Sequence, residues 1–187
     1  MQKISVFICL LFVYSFSFSQ SSKLPEVDKS PLDVSYYPNN YPVLKIQNKA
    51  SESLVARIFY SRPQKQGRKI FGELVEYGQV WRLGANEATE IEFYKDVKIA
   101  GKKVPKGRYT LYAIVNENSW TMIINKETDT WGAFKYDPKK DLLRTDINVQ
   151  KTEEVVESMS MWFDKTSSGI SLNIAWEQVK VSLPITL

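Results

Sequence analysis

Apolar and polar residues alternate along much of this chain, and this period of two constrains its fold more than any other feature. In residues 90–94, Ile91 and Phe93 fall on one face, while Glu90 and Glu92 fall on the other. Further strands are predicted at residues 54–60, 97–99, 108–115, 120–124, 170–177 and 179–185. Short alternating strands separated by turn residues are typical of antiparallel sheets with one buried face. We therefore predict a single all-β domain, either an antiparallel β-sandwich or an open barrel.

A few stretches depart from this pattern. The spacing of the apolar residues in 70–75 predicts one short helix there. Residues 129–141 are predicted to form a loop, since they hold a glycine and a proline and show no alternation. Residues 20–42 carry several prolines, each of which removes a backbone donor, so we predict an irregular N-terminal arm lying against the domain. The domain itself is assigned to residues 43–187, with a short first strand at 43–46.

Residues 1–19 have the pattern of a cleaved export signal. Lys3 precedes the apolar run of residues 4–16, and Ser17 and Ser19 place small side chains where a signal peptidase reads. The run is shorter than the roughly 20 residues that a membrane-spanning helix needs. We expect cleavage before Gln20, a periplasmic or secreted mature protein, and no transmembrane segment after cleavage.

The expected mature chain lacks both histidine and cysteine, which excludes several kinds of chemistry. The sequence has no histidine, and its one cysteine, Cys9, lies within the expected signal. Disulfides, thiolate nucleophiles, imidazole bases and the commonest zinc ligands are therefore absent. We predict no metal, no cofactor and no catalytic residue. The formal net charge of +4 is spread along the chain without the clustering that nucleic-acid binding requires, so no nucleic-acid partner is expected.

Residues 67–89 are the densest unusual segment. They separate two predicted strands, and so long a connection inside a compact domain is usually functional. The segment offers aromatic rings, guanidinium groups, an amide, a carboxylate and a hydroxyl, which suit a sugar or another small polar ligand. The candidate ligand-binding residues are Arg68, Tyr77, Trp81, Arg82, Asn86, Glu87 and Thr89.

A structural interpretation of the same segment stays open. Arg82 and Glu87 could form an ion pair while Asn86 caps a turn, so that the polar groups hold a buried loop in place. Under either interpretation, residues 81–89 are expected to be ordered and largely buried, with Arg82 engaging a carboxylate.

Two acidic motifs are weaker candidates. Asp137 and Asp141 flank a lysine pair and lack the ligand spacing of a calcium loop. Glu90 and Glu92 share one strand face, whereas glycoside hydrolysis uses two carboxyls about 5–9 Å apart across a cleft. We expect both pairs to be surface charge.

Several motifs resemble a known family. Residues 68–92, residues 101–109, Trp131-Gly132-Ala133-Phe134 and Ala175-Trp176-Glu177 are similar to the bacterial domain-of-unknown-function family 2911, and Ser35-Tyr36-Tyr37-Pro38 extends the similarity into the arm. Members of that family are exported proteins found mainly among Bacteroidetes. The resemblance implies export and one compact domain, and it brings no activity and no catalytic residues.

Three functions remain open on the sequence. The first is non-catalytic binding of a small polar ligand or glycan, or support of the cell envelope, and a concave cleft gathering Trp81, Arg82, Asn86 and Glu87 would favour binding. The second is a histidine-independent glycosidase or lyase that uses carboxylates, Tyr77 and Arg82; two carboxyls facing each other across that cleft would favour it. The third is a protein–protein adaptor whose arm or open sheet edge engages a partner strand.

Overall fold

The computed structural model describes residues 24–187, and the expected export signal and its cleavage point lie outside these described residues. The strands are β1 (Leu32–Tyr37), β2 (Ala56–Ser61), β3 (Val80–Trp81), β4 (Glu90–Phe93), β5 (Val97–Ile99), β6 (Lys102–Val104), β7 (Gly107–Val115), β8 (Ser119–Asn125), β9 (Asp141–Asn148), β10 (Gln150–Thr166) and β11 (Gly169–Thr186). Helix α1 (Tyr41–Ile46) follows β1, and a 3-10 turn (Pro138–Lys140) precedes β9.

Two antiparallel sheets make up the fold. The larger has seven strands in the order β1-β2-β4-β7-β8-β9, with β3 pairing beside β4 on the same edge of β7. The smaller has four strands in the order β10-β11-β5-β6. Within residues 24–187 neither sheet closes on itself. The prediction of an all-β sandwich is therefore confirmed.

The core lies where the inward faces of the two sheets meet. Ile91 and Phe93 of β4 are buried, as their alternation predicts, and Phe163 and Leu172 of the small sheet are fully buried. Burying a side chain of this size contributes roughly 1.5–3 kcal/mol, so the apolar faces drive the two sheets together. Larger aromatic rings occupy one part of this core: Phe71, Trp81, Trp120 and Trp176 contact one another with centroids 5.2–6.3 Å apart.

Strand β11 bends back on itself near Glu177. That residue has a φ of 56°, and its partner strand β10 shifts register on either side of Val156. As a result Ser182, in the second half of β11, donates a hydrogen bond to Asn173 Oδ1 in the first half, at 2.7 Å. The two alternating runs predicted at 170–177 and 179–185 are thus one bent strand.

The helix predicted at residues 70–75 is wrong. Gly72 has a φ of 88°, which a right-handed helix does not allow. The segment folds instead as turns in which the amide of Gly72 donates to Val75 O and the amide of Val75 donates to Ile70 O. The strand predicted at 43–46 is also wrong, because that stretch lies within α1. Pro42 occupies the first turn of α1, where its missing N–H is not needed.

The N-terminal arm contributes a strand. Residues 32–37, expected to be irregular, form β1 and pair with β2 along its full length, from Leu32 opposite Ser61 to Tyr37 opposite Ala56. Prolines flank this strand at positions 31 and 38, outside its ladder, where a missing donor costs nothing. No helix in residues 24–187 combines the length and the apolar character needed to cross a membrane.

Candidate ligand site at Arg82

Arg82 begins a loop that is fixed by several hydrogen bonds. The loop is closed where the amide of Thr89 donates to Arg82 O at 3.0 Å. Inside it, Thr89 Oγ1 donates to Leu83 O at 2.6 Å, and Ser61 Oγ of β2 donates to Ala85 O at 2.7 Å. Leu83 is fully buried with a φ of 54°, a conformation that costs a bulky residue about 1–3 kcal/mol and persists only where its surroundings hold it. The backbone next to Arg82 is therefore strained and tightly held.

Arg82 is a partly buried residue without an ion-pair partner in residues 24–187. Its Nε is buried and makes no hydrogen bond, and no carboxylate of residues 24–187 forms an ion pair with it. Burial lowers the pKa of Arg82 from its ordinary value, because removing the charge from water penalises the protonated form. Buried donors are nearly always satisfied in native structures, so an exception at a cavity calls for an explanation.

The ion pair expected between Arg82 and Glu87 is not formed. Glu87 is exposed, and its backbone forms an isolated antiparallel bridge with Trp131. The positive φ angles of Leu83 and Asn86 reverse the chain between the two residues, which explains why closeness in sequence does not bring their charges together. Of the segment 81–89, the residues Trp81, Leu83, Gly84, Ala88 and Thr89 are buried, as expected.

Two adjoining cavities meet at Arg82. The first, called here the arginine cavity, has a volume of about 190 Å³, and its lining includes Arg68, Arg82, Trp81, Trp176 and Ser30. Its lining holds two guanidinium groups and no carboxylate. Arg68 is oriented by its own backbone neighbourhood, since its Nε donates to Lys65 O at 3.0 Å and a terminal nitrogen donates to Gln64 O. This arrangement makes the arginine cavity electropositive.

The second cavity, called here the Phe134 cavity, has a volume of about 300 Å³. It shares Leu74, Val75, Trp81 and Arg82 with the arginine cavity, and Glu76, Gln79 and Phe134 line its other sides. The loop that carries Phe134 is fixed to the Arg82 loop. The amide of Ala88 donates to Thr130 O at 3.0 Å, and the amide of Gly132 donates to Asn86 O at 2.9 Å.

The chain was compared with protein families, curated protein sequences and solved structures. A family model described as "Protein of unknown function (DUF2911)" matches residues 42–185. The chain belongs to the DUF2911 family. No curated protein and no solved structure gave a match. The matched residues cover both sheets apart from β1. They also include every cavity-lining residue named above except Ser30, so the Arg82 site is part of this DUF2911 domain.

The structure brings three of the candidate ligand-binding residues to one cavity and places the others elsewhere. Arg68, Trp81 and Arg82 line the arginine cavity. Thr89 is buried beneath the loop as a hydrogen-bond donor, and Asn86 donates to Asp28 Oδ2 at 2.9 Å on the surface. Tyr77 is exposed, and its ring packs beside Gly72, where a Cβ would lie 3.0 Å from Tyr77 Cε2. Trp81 is enclosed by the core aromatic rings, and its Nε1 donates to Gly84 O at 3.2 Å, so only part of its ring reaches the cavities.

Sequence reasoning did not select Glu76, Gln79 or Phe134. Phe134 belongs to the Trp131-Gly132-Ala133-Phe134 motif, which is remote from Arg82 in sequence but lies beside it in the DUF2911 fold. The available signal was that Phe134 is an aromatic residue in a segment predicted to be a loop, because a loop does not place such a side chain in the core. Glu76 and Gln79 carry no comparable signal.

A larger cavity of about 490 Å³ shares no lining residue with the Arg82 site. Its polar side chains include Asp146, which accepts a hydrogen bond from Thr121 at 2.5 Å, and Ser182, which donates to Asn173. No buried side-chain nitrogen or oxygen atom in its lining lacks a hydrogen-bond partner within the described chain. Volume alone therefore does not make it the candidate site.

The acidic motifs lie in hydrogen-bond and ion-pair networks. Asp141 accepts hydrogen bonds from Asn125 at 2.8 Å, from the Tyr136 hydroxyl at 2.6 Å and from Arg144 at 2.7 Å. Glu90 and Glu92 pair with arginines on neighbouring strands, Glu92 with Arg57 at 2.7 Å. Within residues 24–187, no group of three or more acidic side chains is arranged to hold a metal ion.

Proposed function

We propose that this DUF2911 domain binds a small anionic ligand without catalysing a reaction, with Arg82 as the main contact and Arg68 as a second cation. The observation that carries the proposal is that Arg82 lines both cavities as a partly buried cation with no carboxylate partner in residues 24–187, and that its Nε makes no hydrogen bond. An anionic oxygen placed in the arginine cavity would pair with the terminal nitrogens of the guanidinium, which are not buried, and would neutralise the partly desolvated charge. Charge-assisted hydrogen bonds of this kind are about twice as strong as neutral ones.

Binding is favoured over envelope support because of the cost of the unpaired cation. Partly removing a cation from water without giving it an anionic partner is unfavourable, and a domain with a purely supporting role gains nothing in return. The loop that holds Arg82 also contains backbone strain at Leu83. Strain and unsatisfied polar groups that occur together are characteristic of ligand sites.

The lining of the two cavities does not favour the glycosidase or lyase alternative. Glycoside hydrolysis uses two carboxyls facing each other across a cleft. Among the residues that line the two cavities, Glu76 is the one carboxylate, and Tyr77 lines neither cavity. The arrangement therefore supports recognition rather than paired acid–base chemistry.

We further propose that the protein is exported to the periplasm or secreted, so that its ligand is met outside the cytoplasm. This proposal rests on the export pattern of residues 1–19. Intact-mass spectrometry of protein recovered from outside the cytoplasm should give a chain that begins at Gln20. A chain found only in the cytoplasm, with Met1 retained, would overturn the export proposal without affecting the ligand site.

The binding proposal is tested by thermal unfolding in the presence of acetate, phosphate and sulfate, with chloride used to hold ionic strength constant. A ligand that binds only the native state raises the melting temperature, so at least one anion should raise it for the wild type. The effect should be lost in Arg82→Gln and retained in Arg62→Gln, because Arg62 already pairs with Asp33 at 3.1 Å. Equal responses in both variants would contradict the proposal.

A further inference from the structure

We infer that the anion bound by this domain is an acidic saccharide, with its carboxylate at Arg82 and its pyranose ring in the Phe134 cavity. The inference rests on the proposed function, because it assumes that Arg82 binds an anion. It adds the chemical class of the ligand, which it draws from the second cavity.

Phe134 presents an aromatic surface at this cavity. Its side chain is 85% exposed, an unusual state for a large aromatic residue on a concave surface. Gly132 accommodates the ring, since a Cβ at that position would lie 2.7 Å from Phe134 Cε2, and its φ of 68° also favours glycine. The ring therefore has a defined place while most of its surface stays open. The negative face of an aromatic ring attracts weakly positive C–H groups, such as those on the less polar face of a pyranose.

Glu76 and Gln79 give the same cavity a polar side. Both are exposed, and neither side chain makes a hydrogen bond or an ion pair within residues 24–187. A carboxylate accepts hydrogen bonds, and a primary amide both donates and accepts them, so together they match the hydroxyl groups of a sugar. A fatty acid or an aryl acid would leave these groups unused and would suit a more apolar lining.

Arg82 places a positive charge next to the aromatic and polar sides of the Phe134 cavity. It lines both cavities, so a carboxylate attached to a ring in the Phe134 cavity has the guanidinium beside it. The Phe134 cavity, at about 300 Å³, has the liquid volume of about ten water molecules, which is room for one sugar ring. A neutral sugar would leave the Arg82 charge without an anionic partner, and a bare inorganic anion would leave Phe134, Glu76 and Gln79 without contacts. A hexuronate satisfies all of them.

The test is an NMR titration of the protein with D-glucuronate, D-galacturonate, D-glucose and acetate at constant ionic strength. At least one uronate should bind tenfold or more tightly than acetate, and glucose should bind more weakly than that uronate by a similar factor. Phe134→Ala should reduce uronate affinity to the level of acetate and leave acetate binding unchanged. The matched control is Trp131→Ala. Trp131 is another exposed aromatic residue of the same loop, with 61% of its surface exposed, and it lines neither cavity.

The outcomes separate the inference from the proposed function. If acetate and both uronates bind with equal affinity at Arg82, or if Phe134→Ala changes nothing, the saccharide class is wrong while anion binding stands. Equal binding of glucose and uronate in wild type and in Arg82→Gln would overturn both. Loss of uronate binding in Trp131→Ala as well as in Phe134→Ala would also overturn the assignment to the Phe134 cavity.

Discussion

The indole rings of Trp81 and Trp176 stack with their centroids 6.2 Å apart and their planes inclined by 17°. Trp81 ends β3 in the large sheet and Trp176 lies on β11 of the small sheet, so this contact joins the two sheets. Arg82 follows Trp81 directly, and both indoles line the arginine cavity. The cation is thus placed on the packed core rather than at the tip of a free loop, which favours a preorganised binding site.

Replacing Arg82 with methionine should stabilise the protein. The substitution removes a desolvated charge without an ionic partner and keeps an unbranched side chain of similar length, so we expect the free energy of unfolding to rise by about 1 kcal/mol. Urea denaturation measures the change. The matched control is Arg62→Met, which removes hydrogen bonds to Met159 O, Asp33 and Ser160 and should cost about 1 kcal/mol.

A fall in the free energy of unfolding of Arg82→Met, instead of the expected rise, would contradict the binding proposal. A loss of 1 kcal/mol or more in Arg82→Met would mean that the guanidinium has a stabilising partner, as the structural interpretation of the sequence expected.

Replacing Thr89 with valine should weaken both stability and ligand binding. Valine keeps the buried shape but removes the hydroxyl that donates to Leu83 O, which leaves that carbonyl unsatisfied at a cost of about 1–3 kcal/mol. The strained backbone of Leu83 can then relax and displace Arg82. Chemical denaturation and anion titration together measure both effects.

Thr110→Val is the control for Thr89→Val. Thr110 is buried, and its hydroxyl donates to Glu127 O at the same distance of 2.6 Å, but it lines neither cavity at Arg82. It should lose similar stability while keeping anion affinity. If Thr89→Val binds anions as tightly as Thr110→Val does, the Leu83 contact does not position Arg82.

Replacing Gly169 with alanine should be costly because β11 bends back on itself. The new Cβ would clash with the backbone oxygen of Ile185, and backbone must move to accommodate it, so we expect a loss of about 2 kcal/mol or more. At exposed Gly67, with a φ of 73° and no atom within 4 Å of the added Cβ, alanine should cost about 1–2 kcal/mol from backbone conformation alone. Urea denaturation compares the two variants, and a smaller loss at Gly169 than at Gly67 would argue against the bend.

Tyr136 should give the protein a stability that disappears in alkali. Burial, followed by the hydrogen bond to Asp141, raises the pKa of Tyr136 to about 12, above the value of about 10 expected in the unfolded chain. The folded state therefore holds the phenolic proton more tightly. This contribution is complete below pH 10 and is lost as the pH rises through 12.

The measurement is the difference in unfolding free energy between wild type and Tyr136→Phe, followed from pH 9 to pH 12. The advantage of the wild type should shrink over that range. A difference that stays constant would show that the pKa of Tyr136 is not raised by folding.

The sequence predicted the strands well where one side of the sheet is buried. Ile91 and Phe93 of β4 alternate with glutamates because β4 has one inward face, and the same reasoning located β7 and β8. It failed for β1, whose flanking prolines argued for an irregular arm although they lie just outside the ladder. Local spacing also misplaced the short helix, since a single positive φ at Gly72 overrides the helical pattern around it.

Arg82 could be selected from the sequence, but its lack of a partner could not. That depends on the positive φ angles of Leu83 and Asn86, which separate Arg82 from Glu87. Asparagine often adopts a positive φ, but leucine rarely does, so the sequence gives no signal for the conformation at Leu83. The contribution of Phe134 depends on tertiary hydrogen bonds between the loops, such as that from the Gly132 amide to Asn86 O. Contacts between distant segments of this kind leave no periodic signal.

The most direct test of the account follows the arginine side-chain Nε–H signals by ¹H–¹⁵N NMR while acetate, and then D-glucuronate, is added at constant ionic strength. The Arg82 signal is identified by its loss in Arg82→Lys. We predict that it moves with saturation, while the signal of Arg62, whose Nε already donates to Met159 O at 3.1 Å, stays in place. An Arg82 signal that does not move, or that moves only in parallel with every other arginine, would contradict an anion site at Arg82.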